Sequence, residues 1–317
     1  MVAFAIGASP ASAHNIPGSA ASALPQATEV ATGMIVRSLK SHILPLREAE
    51  AGGAIAFSTS GGTFSARSDE GLSFALGLDY RNLEGERLEG GLGVGTLFIA
   101  KALNARNLVI GGIVAERLDS DTPYNEGRIT SKGLGLSFGA DYRLNDRFFL
   151  TSIFGLMKLD YELSRNKGAI TGNFDARRGF IDLSGDYLLQ SDPAEITLGL
   201  GLLYVHQKNN AYVESGGAAV AGFTSKQLSG KLALRSLWGK PGQLRPLVEA
   251  ETWVKLSGTS GLPALLAPGD TRDWTARLGL GLQKVDGLSA FDLGLGSNFG
   301  EEGFEGLDLR LHYARRF

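Results

Sequence analysis

From about residue 72 to the end, apolar and polar positions alternate with a period of two. In "EITLGLGLLYVH", Ile196, Leu198, Leu200, Leu202 and Tyr204 share one face, while Thr197, Gly199 and Gly201 share the other. Trp274, Ala276, Leu278, Leu280 and Leu282 likewise oppose Arg277, Gly279, Gly281 and Gln283. Successive side chains of a strand point to opposite faces, so this pattern predicts strands with two unlike faces. Twelve such stretches are predicted, with cores at 72–80, 88–100, 108–118, 133–142, 148–159, 174–189, 196–206, 225–238, 247–256, 274–283, 288–299 and 304–317.

One stretch follows a different period. In "ATEVATGMIVRSLKSHIL", Ile35, Leu39 and Ile43 recur every fourth residue, which predicts a helix over 27–44 ended by Pro45. Residues 14–26, with two prolines and several small residues, read as a linker; 52–69 read as a loop or short hairpin. "MVAFAIGASPASA" carries a short apolar run and a small-residue cleavage pattern, but no basic lead-in. It reads either as the remnant of a secretory signal or as an Ala/Ser-rich tail. The expected division is therefore 1–26 as signal remnant and linker, 27–50 as helix and connection, and 51–317 as a β-domain.

The connections alternate too. Mostly long ones, such as "DSDTPYNEGRITS", "DYELSRNKGAITGN", "KNNAYVESGGAAVAG" and "SGTSGLPALLAPGD", follow odd-numbered strands, the short connections near Arg81 and Gly300 being exceptions. Short ones such as "RLNDR", "QSDPAE", "GKPGQ" and "KVDG" follow even-numbered strands. No helical period lies between strands, which excludes a parallel βαβ sheet.

Composition narrows the choice. Glycine reaches 44 of 317 residues, about twice the usual share of ~7%. Cysteine is absent, which excludes disulfides, thiol catalysis and Cys-based metal sites. With 31 basic against 33 acidic residues, the chain has no electrostatic footprint for nucleic acid. No apolar run is long enough for a transmembrane helix.

A soluble sandwich buries its apolar faces, whereas a membrane barrel turns them to lipid and its polar faces to the lumen. Alternating loop lengths, an even strand count and aromatics at the ends of the apolar faces (Tyr80, Tyr142, Tyr187, Tyr204, Trp238, Trp274, Phe299, Phe317) favour the barrel. Closure also removes the two open edges of a twelve-stranded sheet, which hydrocarbon does not tolerate. The expectation is an all-β, twelve-stranded antiparallel transmembrane barrel with the N-terminal helix in its lumen. In "GLDLRLHYARRF", Leu307, Leu309, Leu311, Tyr313 and Phe317 then face lipid and Asp308, Arg310 and His312 the lumen, beside the 72–80 strand. Parity assigns Asp141, Asp182, Asp186, Lys231, Arg235, Glu249, Glu251, Arg277, Asp308 and Arg310 to the lumen, with Arg37 and Lys40 facing them from the helix.

Candidate chemistry is sparse. His206 with Asn209 matches part of a hydrolase arrangement, but no serine in a nucleophile setting accompanies it. Glu249 and Glu251 share a face and invite comparison with a glycosidase acid–base pair; charged lumen lining explains them better beside Lys231 and Arg235. "GLGVG" at 91–95 has no helix after it, so it is no phosphate loop. No metal or cofactor site and no catalytic residue is expected.

"GLGLSFGADYRLNDRFFLTSIFGLMKLDYE", residues 133–162, resembles the middle of the translocator barrel of autotransporters, with an echo in "LSFALGLDYRN" at 72–82. The alternating Leu309, Leu311 and Tyr313 before Phe317 resemble the C-terminal assembly signal of outer-membrane proteins, from which Arg315 departs. The resemblance implies a barrel in the bacterial outer membrane, threaded by the upstream helix, that anchors and exports an N-terminal passenger. Its partners would be outer-membrane lipid, the barrel-assembly machinery and that passenger, with no nucleic acid. Residues 14–26 are too short for the long β-helical passenger of most relatives. Consecutive asparagines, which some relatives cleave inside the pore, occur at Asn209–Asn210 in a connection, away from the helix. The rival readings are a stand-alone porin or surface adhesin and, more weakly, a barrel lipase or protease.

Overall fold

The computed structural model describes residues 16–51, 64–67, 72–104, 106–240, 243–262, 273–286, 289–301 and 303–315. Twelve long strands form one antiparallel meander: β2 (Leu72–Leu83), β3 (Glu89–Asn104), β4 (Asn107–Thr122), β5 (Gly127–Arg143), β6 (Phe148–Arg165), β7 (Ile170–Ser191), β8 (Ala194–Asn209), β11 (Phe223–Trp238), β12 (Leu244–Thr259), β13 (Trp274–Asp286), β14 (Ser289–Gly300) and β15 (Gly303–Arg315). The last strand returns to the first, with Asp308 opposite Arg81 and Leu309 opposite Tyr80. Arg81 Nη2 reaches Glu305 Oε2 at 3.5 Å, and the Glu84 N–H donates to the Glu305 carbonyl at 3.0 Å, on the lumen side of this seam. A short strand, β1 (Phe64–Arg67), pairs with the other half of β2, within the stretch read as a loop or hairpin. A minor hairpin, β9 (Tyr212–Val213) and β10 (Ala219–Val220), sits in the connection after β8.

The apolar faces point outward. Leu200 is 69% exposed, Leu280 68% and Leu134 62%, while Gly199, Arg277 and Gly135 beside them face in. Leaving such side chains in water forgoes about 1.5–3 kcal/mol each, so a continuous belt of them belongs in lipid. Exposed aromatics rim the belt at both ends: Tyr80, Tyr204 and Trp274 at one, Tyr142 and Trp238 at the other. The interior is close-packed enough that some inward positions admit only glycine. The Phe180 ring lies directly over Gly155, where a Cβ would overlap it.

Two of the expected long loops are instead strand. "DSDTPYNEGRITS" and "DYELSRNKGAITGN" are extensions of β4–β5 and β6–β7, closed by tight turns at 123–126 and 166–169. Their polarity is inverted relative to the belt. On β6 the outward series runs Leu150, Phe154, Leu156 and then Lys158, Asp160, Glu162, while Leu159, Tyr161 and Leu163 point inward and are buried. Beyond the membrane these hairpins stand in water and enclose a core of ordinary soluble type. Charged residues in "DYELSR" suggest a loop only if the inside–outside assignment is held constant.

The helix, α1, spans Leu24–Ala51 and is preceded by a 3-10 turn, Ser19–Ala23. Two boundary expectations fail. Ala20, Ala21, Ala23 and Leu24 are buried rather than linker, because small side chains let the chain enter a crowded mouth. The helix also continues past Pro45. Proline removes one backbone donor, but the strong helix formers after it, "LREAEA", carry the helix on.

Replacing Leu200 with arginine is expected to cost about 2–4 kcal/mol of folding stability in lipid vesicles. The same change at Asn173, outward on the water-exposed extension of β7, is expected to stay within about 0.5 kcal/mol. Denaturant titrations of the two variants check the placement of the belt.

Candidate functional site

The helix lies in the lumen, with Val30, Ala31, Met34, Ile35, Val36, Leu39 and Ile43 buried against the wall. Its polar side chains meet the barrel in three tiers.

At the outer mouth, the Gly18 N–H donates to Glu214 Oε1 at 3.0 Å, and Arg165 Nη2 pairs with Glu214 at 2.7 Å. The Tyr124 hydroxyl donates to the Ser19 carbonyl at 2.9 Å. Tyr161, Phe174 and Tyr212 stack in sequence with centroid spacings of 5.1 Å, closing the wall beside this segment. Burial raises the Tyr124 phenol from 10.0 to about 12, and burial followed by the Glu214 carboxylate raises that of Tyr212.

In the middle tier, Thr28 Oγ1 donates to Gln207 Oε1 at 3.0 Å. Gln207 also accepts from Arg178 Nε at 2.8 Å, and Arg178 pairs with Glu116 at 2.5 Å with neither side chain more than 2% exposed. Ser38 and Thr96 hydroxyls are 3.0 Å apart.

The lower tier is the most highly charged. Arg37 Nη2 reaches Glu251 Oε1 at 3.0 Å, and Lys40 Nζ reaches Asp182 at 3.2 Å. Glu251 also receives Lys231 Nζ at 2.8 Å and the Trp253 indole N–H; the Lys231 ammonium lies 4.7 Å from the Trp253 ring centre. Arg277 bridges Glu249 at 3.0 Å and Asp308 at 2.7 Å, and Arg235 approaches Glu249 at 4.0 Å. Asp141 accepts from Thr151 at 2.7 Å on the β5–β6 wall, and Asp186 faces inward on β7. Arg37, Lys40, Asp186, Lys231, Glu249 and Arg277 line a cavity of about 90 Å³ beside the helix, room for several waters.

Of the residues assigned to the lumen by parity, the structure places Asp141, Asp182, Asp186, Lys231, Arg235, Glu249, Glu251, Arg277 and Asp308 on the inward face. The side chains of Arg310, Leu311 and Tyr313 lie outside the described residues, as does Phe317; Leu309 faces outward. His206 and Asn209 point to opposite sides of β8 and share no site.

With this geometry in view, comparison with known proteins is decisive. Residues 57–284 match the autotransporter β-domain family model. The chain belongs to that family. The barrel also resembles the translocator domain of the autotransporter NalP from Neisseria meningitidis, at 17% identity and a TM-score of 0.69, over 94% of this chain and 100% of that one. The β-domain of the Bordetella autotransporter BrkA matches at 14% identity and 0.62, over 77% and 97%. The transport unit of AIDA-I from Escherichia coli matches at 12% and 0.56, over 89% and 99%. No curated protein matches the chain in sequence.

The protein is thus an outer-membrane translocator barrel of the autotransporter family. Sequence reading missed several of this autotransporter β-domain's inward charges: Glu116 with Arg178, Arg165 with Glu214, and Arg245 with Glu195 at 3.5 Å. Arg178 shares the even parity of Asp182 and Asp186 on β7, so its side was readable. Its partner, 62 residues away, was not.

Glu251→Gln leaves Arg37 and Lys231 facing each other without a counter-charge. The expected loss is about 3–5 kcal/mol, read by urea titration in vesicles. At the mouth, a raised phenol pKa means the docked state holds a proton that the released state gives up first. Tyr124 therefore contributes to docking below pH 10.0, and that contribution disappears as pH rises through about 12. Tyrosinate absorbance against pH should lose the component that ionises near pH 12 in Tyr124→Phe, while the raised phenol of Tyr212 remains.

Proposed function

We propose that this barrel exports and anchors a passenger segment joined to the N-terminal end of the helix, and that the helix then stays as the plug. The observation that carries this reading is the direction of α1. Its N-terminal end meets Glu214 and Tyr124 at the mouth formed by the long hairpins, the side that faces outward in outer-membrane barrels. Whatever precedes Ile16 is therefore delivered to the cell-surface side.

The lumen charges serve to hold the helix. Arg37 and Lys40 present two cations about one helical turn apart to Glu251 on β12 and Asp182 on β7, strands separated in the ring by β8 and β11, which fixes both rotation and depth. The apolar positions around them supply packing without choosing a register. The reading assigns no catalytic chemistry to the barrel and no cofactor. Leu309, Leu311, Tyr313 and Phe317 are assigned to recognition by the barrel-assembly machinery during insertion. A helix packed along the lumen supports a translocator over an open porin.

Single-channel recording in planar bilayers tests the plug. The intact chain should conduct poorly, and deletion of residues 24–44 should raise conductance severalfold while the barrel stays folded. Unchanged conductance on deletion contradicts the plug. An N-terminal epitope reachable by protease on whole cells tests the direction of export.

A further inference from the structure

Just outside the apolar belt, six basic side chains stand on the outward face of adjacent strands: Arg117 on β4, Lys132 on β5, Lys158 on β6, Arg177 on β7, Lys208 on β8 and Lys226 on β11. All six are exposed. The register makes them a row. Arg117 is directly opposite Lys132; Lys158 is directly opposite Arg177, and Arg177 is directly opposite Lys208. Like charges directly opposite one another on one face weaken a strand pair. Three in a line across β6, β7 and β8, at the roughly 4.8 Å strand spacing, compound that cost.

Nearby acids offset it incompletely. Lys158 lies 3.5 Å from Asp160 and 3.6 Å from Asp175, both one step farther from the membrane. Lys132 is opposite Asp160. Among the described residues, Arg177 and Lys208 have no carboxylate within ion-pair distance. On the membrane side of the row, the same face turns to Leu134 and Leu156 at the next position and, past Gly179 and His206, to Ile181 and Tyr204, all four exposed. The basic row thus stands at the depth where a lipid changes from acyl chain to headgroup, and its acids lie beyond it.

We propose that this row binds phosphorylated lipid of the outer leaflet, with Lys158, Arg177 and Lys208 as its centre. Headgroup phosphates supply the counter-charge the strands lack, and the acyl chains lie on the apolar face below. This site is separate from the lumen and from export. It rests on the outer-membrane location alone and would hold for a plugged or an open barrel.

The test uses the full chain in neutral detergent micelles, with diphosphorylated lipid A and its dephosphorylated form as probes. Native mass spectrometry reads occupancy. The triple variant Lys158→Gln, Arg177→Gln, Lys208→Gln should weaken binding of the phosphorylated lipid by about fivefold per charge, on the order of a hundredfold in all. Binding of the dephosphorylated form should not change. A control triple removing the same charge elsewhere, Lys101→Gln, Lys167→Gln, Lys240→Gln, should retain tight binding. Equal binding by the test triple and the parent, or equal loss in both triples, overturns the proposal. A second measurement needs only Arg177→Gln. Without lipid, this variant should melt at a higher temperature than the parent, and the lipid should stabilise it less. A lower lipid-free melting temperature would overturn the repulsion on which the argument stands.

Discussion

In hydrocarbon, an unpaired backbone N–H or C=O costs several kcal/mol, and no water is present to relieve it. A twelve-stranded sheet meets this constraint only by returning to its own first strand, and here the return depends on a short seam. β15 meets β2 at Asp308–Arg81 and Leu309–Tyr80, while β1 pairs with the other half of β2. Closure fixes the rest of the design. With all strands in a ring, one face of each must meet lipid and the other a narrow interior, so the two-residue period becomes an inside–outside code.

That interior has to be filled. A ring this size lined by charge alone would hold water; α1 occupies it instead, with alanines and aliphatic residues where the wall is close and Arg37 and Lys40 where it is acidic. Buried ion pairs seldom add net stability, since desolvation offsets most of the attraction. Their value here is positional. A helix held by packing alone can slide or turn by a residue, but one whose two cations meet Glu251 and Asp182 has one preferred register.

The period of two made the twelve long strands legible, though not the short β1, and parity was enough to say which side Asp182, Lys231 or Glu251 occupies. Lengths were less legible. β6 and β7 run on into water with their polarity inverted, so Asp160 and Glu162 looked like loop residues when they are the wet face of a strand. At the helix, the small residues before Leu24 looked like linker because tight packing and flexibility favour the same amino acids. Pro45 looked like an end because the cost of a lost hydrogen bond is local, while the helix formers after it act over a longer stretch. Partners were the least legible feature. Glu116 and Arg178 are 62 residues apart, and only strand register brings them together.

The central claim is that α1 rests inside the closed barrel in one register. The chain contains no cysteine, so a pair introduced at Ser38 and Thr96, whose hydroxyl oxygens are 3.0 Å apart, reports on that register without background. Mild oxidation of Ser38→Cys, Thr96→Cys in isolated outer membranes should link helix to wall in nearly all folded barrels, while pairs displaced by one residue along the helix link poorly. Folded barrels that do not cross-link, or that cross-link equally well at displaced positions, would contradict it.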